Sequence, residues 1–293
     1  MSACPCTTHP AAPGADQRVA VFYLHGGGLL YGERDDLPAP YVRAFTDAGY
    51  ELVCADYPLA PEVPLPRIVE AAHATWRETV GRRVAVGELD GCFLFGRSAG
   101  AYLSLMLARA IARDAGLSPE GAIPAPLGIL DFYGYPGLTD PAFTQPARAY
   151  AKLPPVSEAE VNRIARPGDD PVTSGPKAQR YALYVHARQQ PGAWLALLGL
   201  DGGAPDLTPE AWSLTAGDIA RLPPVFACHS AADEDVPYGV DKRFVRSCPA
   251  GVMRTVYDLP HDFDRDTVNP AGMQAYRAAL AWMRATMERD GAL

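Results

Sequence analysis

The feature that most limits what this chain can fold into is a series of six short runs that are apolar at successive positions. They are VAVFYLH at 19–25, ELVCADY at 51–57, GCFLFG at 91–96, PLGILDFY at 126–133, PVFACHS at 224–230 and MRTVYDL at 253–259. A strand apolar on both faces must be covered on both, and helical patterns fill the intervals at lengths that suit right-handed crossovers. The combination predicts an α/β fold with a mostly parallel central sheet between helical layers. Tyr102, Leu103, Met106, Leu107, Ala110 and Ile111 recur at spacings of three and four. Met273, Tyr276, Leu280, Met283 and Met287 repeat that pattern beyond Pro270, which suits a first helical turn. Both stripes are expected to pack on the sheet.

The strand series stops between residues 134 and 222, where proline clusters, a polar RPGDDP and a helical KAQRYALYVHARQQPGAWLALLGL take over. Pro191 should break that helix. The expected organisation is a core built from 19–133 and 223–293, with 134–222 inserted as a helical cap. Residues 1–18, MSACPCTTHPAAPGADQR, lack both helical periodicity and the basic start and apolar run of a secretory signal. They are expected to form a flexible tail.

Charge narrows the partners. The balance of 34 acidic against 26 basic residues gives a net −8, which repels nucleic acid and anionic membrane surfaces. No apolar run approaches the roughly twenty residues of a membrane span. Cys54, Cys92 and Cys228 fall inside strand-like runs and read as small core residues in a reducing compartment, so a cytoplasmic location is expected. Cys4, Cys6 and His9 lack a fourth ligand and a zinc-like spacing, and no metal is expected there.

The chemistry concentrates in FLFGRSAGAYLSLMLARA, which sets Gly96, Ser98 and Gly100 between an apparent strand and a strong helix. A sharp strand-to-helix turn crowds its central residue, so small neighbours are needed and the serine hydroxyl is presented above the sheet edge. The pattern alone also describes a serine that merely caps a helix. A second glycine-rich stretch, YLHGGGLLYG, leaves the first strong strand. Glycine is most useful where backbone N–H groups must approach a ligand closely. Gly26 and Gly27, with Ala99 after the serine, are the expected oxyanion donors, and His25 is expected to hold the loop. A nucleotide site is excluded, because the stretch has no Lys-Ser or Lys-Thr pair.

A neutral serine needs an imidazole to take its proton and a carboxylate to fix the imidazole tautomer. Of the six histidines, His9 lies in the tail, His73 and His186 in helical stretches and His25 in the glycine turn. His261, just after a strand in YDLPHDFDRD, is the expected base, while His229 sits within PVFACHS and reads as structural. HSAADEDVPY supplies Asp233 as the expected acid, with Asp235 its chief rival. The order Ser98, Asp233, His261 is that of α/β-hydrolases.

At this point the sequence resembles the esterase and lipase family related to hormone-sensitive lipase. HGGG at 25–28, DYPLAPEVPLP at 56–66, GRSAG at 96–100, DEDVP at 233–237 and the histidine of PHDFD at 260–264 carry the likeness. The resemblance implies an oxyanion hole of Gly26, Gly27 and Ala99, and supporting roles for Tyr57, Pro61 and Pro66. It implies a serine hydrolase that cleaves a small-molecule carboxylic ester through an acyl-enzyme, without metal or organic cofactor. Two positions depart from the pattern: Arg97 stands where the family has an acidic residue, and Leu29 where a bulky aromatic commonly follows the glycines. The same triad would serve an acyltransferase or cyclase. A non-catalytic binding protein on this scaffold would be expected to lose a triad member. Tyr31, Tyr133, Tyr135, Tyr184 and Trp194 are candidates for the pocket wall.

Overall fold

The computed structural model describes residues 3–15, 18–117, 123–200 and 202–290. Seven strands form one sheet: β1 (Cys6–His9), β2 (Val19–Leu24), β3 (Glu51–Ala55), β4 (Gly91–Arg97), β5 (Gly128–Phe132), β6 (Val225–Ser230) and β7 (Gly251–Val256). Their spatial order is β1-β3-β2-β4-β5-β6-β7. From β3 to β7 every pairing is parallel, and β1 is antiparallel to β3.

Alternation along the strands explains the layers. In β2, Ala20, Phe22 and Leu24 join the core on one face, beneath α2 (Leu65–Trp76) and α4 (Ala99–Leu117). Val19, Val21 and Tyr23 join the other, with α1 (Ala39–Asp47) and the C-terminal helix, Pro270–Asp290. Every residue of β2 and β4 is buried, as doubly covered strands require. A short helix, α3 (Arg82–Ala85), extends α2 after one wide π turn at Arg77–Gly81.

Two expectations are corrected. Part of the expected flexible tail is the edge strand β1, in which Cys6, Thr7, Thr8 and His9 pair with Ala55, Cys54, Val53 and Leu52. Its order comes from main-chain hydrogen bonds to the open edge of β3, which a side-chain pattern cannot announce. The last strand begins at Gly251, two residues ahead of the expected run, and ends at Val256, so Tyr257 is exposed after it.

Between β5 and β6 the chain forms α5 (Pro141–Thr144), α6 (Arg148–Ala151), α7 (Glu158–Ile164), α8 (Lys177–Gln189), α9 (Ala193–Leu197) and α10 (Ala216–Ile219). The described residues of this segment contribute no strand to the sheet. Pro191 falls between α8 and α9, where the helix breaks. Buried Arg180 of α8 fastens the segment to the core, donating to both carboxylate oxygens of Glu62 and to the carbonyls of Leu30 and Ala60. The remaining helices, α11 (Tyr238–Ser247) and α12 (Pro270–Asp290), follow β6 and β7. Among the described residues no helix is long and apolar enough to cross a membrane.

Candidate active site

Ser98 occupies the single residue between β4 and α4, with a left-handed φ of 53°. Such a conformation costs a non-glycine residue about 1–3 kcal/mol and persists only when its surroundings enforce it. The surroundings here are backbone. A Cβ on Gly96 would come within 2.1 Å of Gly100, and one on Gly100 within 2.0 Å of the Leu24 carbonyl. The turn is thus pressed against the end of β2, which leads directly into the glycine stretch. The Ser98 N–H donates to the Phe132 carbonyl at 2.8 Å and ties the turn to β5 as well.

The glycine turn is equally constrained. Gly27 has φ 102°, and a side chain there would strike the Tyr31 carbonyl at 1.9 Å. Gly26 lies beside the serine: an added Cβ would sit 3.5 Å from Ser98 Cβ. The turn's carbonyls are held from outside. Tyr57 donates its hydroxyl to the carbonyls of His25 at 2.9 Å and Gly26 at 3.2 Å, and Trp194 Nε1 donates to Gly28 at 2.9 Å. His25 stacks on Tyr57 and donates from Nδ1 to the Gly26 carbonyl at 2.8 Å. Burial lowers its pKa, so the ring is a neutral wedge. Among the described residues, no hydrogen bond within the protein engages the N–H of Gly26, Gly27 or Ala99.

The loops after β6 and β7 bring the acid and base candidates to the same sheet edge. His261 Nε2 lies 2.8 Å from Ser98 Oγ, and His261 Nδ1 lies 2.6 Å from Asp233 Oδ2. Burial alone would lower the His261 pKa, but the charge and hydrogen bond of Asp233 outweigh it and push it up to about 9. Burial would raise the Asp233 pKa, yet His261 and His229 hold its carboxyl well below the usual carboxylate range. Asp233 Oδ1 accepts the N–H groups of Asp235 and Val236 at 2.8 and 2.9 Å. Asp235 is engaged elsewhere, by Tyr150, Tyr184 and Arg188.

Arg97, the departure beside the serine, points away from solvent. It is buried, donating to Asp264 Oδ1 at 2.9 Å and to the Tyr133 hydroxyl at 2.7 Å. Asp264 also accepts from Tyr133 and Tyr276, and its carbonyl accepts from Tyr41. Asp264 is the third residue after His261, so this knot clamps the histidine loop to the end of the serine strand. The PHDFD motif contained the aspartate, but nothing local linked it to Arg97.

An open cleft of about 440 Å³ adjoins His261, lined among others by Tyr31, Tyr150, Lys177, Tyr181, Leu259 and Pro260. Of the five aromatics expected in the wall, Tyr31 alone lines this cleft. Tyr133 meets the His261 ring edge-on at 4.8 Å, and Tyr135 stacks on Tyr102. Tyr184 and Trp194 instead support Asp235 and the glycine turn. No sequence motif marks Tyr150, Tyr181 or Lys177, because a cleft wall built from α6 and α8 leaves no periodic signature.

An alpha/beta hydrolase superfamily protein from Enterococcus faecalis is 29% identical with a TM-score of 0.77, over 96% of this chain and 94% of its own. Esterase LipI of Mycobacterium tuberculosis is 34% identical over 112 residues, 38% of this chain and 34% of that protein. Non-reducing polyketide synthase ausA of Aspergillus calidoustus is 31% identical over 201 residues, 63% of this chain. The matched region is only 7% of that synthase's length. These likenesses agree with the esterase and lipase resemblance carried by the motifs. A family model described as alpha/beta hydrolase fold matches residues 21–235, and the chain belongs to that family.

Proposed function

We propose that the protein is a serine esterase that cleaves a small carboxylic ester through an acyl-enzyme on Ser98. The observation that carries this reading is the unbroken hydrogen-bonded sequence from Ser98 Oγ through His261 to Asp233, beside a glycine turn with unengaged N–H groups. His261 Nε2 takes the serine proton as Oγ attacks the ester carbonyl. Gly26, Gly27 and Ala99 donate to the oxygen that becomes negative, an interaction that grows as charge develops there. His261 returns its proton to the departing alcohol, and then activates the water that releases the acid. Asp233 keeps Nδ1 protonated throughout, so Nε2 is the nitrogen that exchanges protons.

The size of the cleft supports a modest acyl or alcohol group, near the lower end of the range for small-molecule sites. The likeness to a region of a polyketide synthase favours a second reading, in which an amine or hydroxyl takes the place of water, in trans or by ring closure. A panel of model esters with varied acyl and alcohol parts separates the two readings when product masses are recorded with and without an acceptor. Free acid as the main product in both arms supports hydrolysis. An acceptor adduct or lactone supports transfer. No turnover of any ester by the wild-type protein, with Ser98→Ala as control, overturns both.

A further inference from the structure

We infer that His229 is a positioning residue for Asp233, a second histidine that holds the acid in place through the same carboxylate oxygen that meets His261. The inference rests on the triad reading above. Asp233 Oδ2 is shared: His261 Nδ1 approaches it at 2.6 Å and His229 Nε2 at 2.9 Å. With the two backbone N–H groups on Oδ1, the carboxylate meets four donors, and its side chain is fully buried. Rotation of Asp233 would break several of these bonds at once.

The protons of His229 follow from its neighbours. Nε2 faces Asp233 Oδ2 and the Val236 carbonyl at 3.0 Å, both acceptors, so this nitrogen carries a hydrogen. Nδ1 faces Asp241 Oδ2 at 2.8 Å, on the first turn of α11. Burial disfavours a charged imidazole, but the two carboxylates outweigh it and raise the pKa to about 10. Both carboxylates thus favour the protonated, positively charged form of His229, while burial raises the pKa of Asp241 itself. The other groups facing this cluster are Asp131 of β5, which burial and Asp241 hold towards its neutral form, and the Tyr238 ring, edge-on at 5.9 Å. His261 in turn faces Asp233, Asp235 and Asp262, with the Tyr133 ring at its side.

This arrangement has two consequences that a space-filling histidine would not have. The hydrogen bond from His229 fixes the lone pair that Asp233 offers to His261. The positive charge also draws electron density from the shared oxygen and opposes protonation of His261, keeping the base less saturated with protons than Asp233 alone would make it.

The test combines steady-state kinetics on a model ester with an NMR titration of the His261 ring, which does not depend on turnover. In His229→Ala, kcat should fall on the order of tenfold to a hundredfold with little change in KM, as expected for a misplaced catalytic group. The His261 pKa should rise by roughly one unit, the scale on which a lost neighbouring cation acts. His229→Gln places an amide donor near the original Nε2 and should recover part of both losses. Asp241→Asn leaves His229 bonded to Asp233 but removes one of the two carboxylates that favour its charged form, and should move His261 in the same direction by less. If His229→Ala does not fold, the other two variants decide. Unchanged kcat and an unchanged His261 titration in the folded variants, with only melting temperature lowered, would overturn the inference. Absence of ester turnover in the wild type would sink the esterase reading, while the titration would still judge His229.

Discussion

Asp233 and Asp235 stand two residues apart on one loop, with their side chains buried, yet they serve different halves of the molecule. Asp233 faces the core, where its partners are two histidines and two backbone amides. Asp235 faces the helical segment, where Tyr150, Tyr184 and the Arg188 guanidinium take up its oxygens. The difference shows that sequence parity does not separate the two carboxylates; the donors that surround each one do. It also shows two uses of buried charge. On the core side charge is linked to two imidazoles, and on the side of the helical segment to a guanidinium and two tyrosines, one of which, Tyr150, also lines the cleft.

The sharpest way to break this comparison is to neutralise each carboxylate in turn. Asp233→Asn should lower kcat by about 10⁴-fold while the protein stays folded, because the amide favours the wrong imidazole tautomer. The same change should move the acid limb of the pH–rate profile. His261 must be neutral to act, so kcat/KM rises with pH through its pKa, which Asp233 holds near 9. Without that charge, burial dominates and the limb should fall back towards or below the ordinary value of about 6.5. A profile that stays in place in the variant would show that Asp233 does not control the base.

Asp235→Asn should act on stability first. It leaves the Arg188 charge buried against a neutral amide, and loss of one partner of a buried pair costs about 3–5 kcal/mol. Melting temperature should drop, and kcat should change far less than in Asp233→Asn. The reverse ranking, with both variants folded, would exchange the two roles.

A smaller effect is expected at the contact between the helical segment and the glycine turn. Trp194→Phe removes the N–H that binds the Gly28 carbonyl but keeps most of the ring contact with Tyr184 and Phe143. The loss should be about 1 kcal/mol of stability, from one buried hydrogen bond. If the tryptophan positions the turn, kcat should fall several-fold; an unaffected kcat would make it a packing residue only.

The core half of the site was legible because its devices are local. Glycines at 96 and 100 are forced by backbone approaching within about 2 Å, and Ser98, Asp233 and His261 each follow a strand that the apolar pattern marks. What escaped the sequence depends on pairs far apart in the chain. Arg97 meets Asp264 across 167 residues, and the Asp241 partner of His229 belongs to the next helix. β1 escaped because CTTH has no apolar alternation and is ordered by the backbone of β3. The wall of the cleft escaped because Tyr150, Lys177 and Tyr181 come from two separate helices, α6 and α8, whose approach no motif records.

The most direct test of the central claim is covalent labelling with a phosphonate ester of serine hydrolases, read by intact mass and by peptide mapping. The account predicts one adduct per chain, on the peptide containing Ser98, and none in a folded Ser98→Ala variant. An unlabelled wild-type protein, or stoichiometric labelling that persists at another residue in the variant, would contradict it.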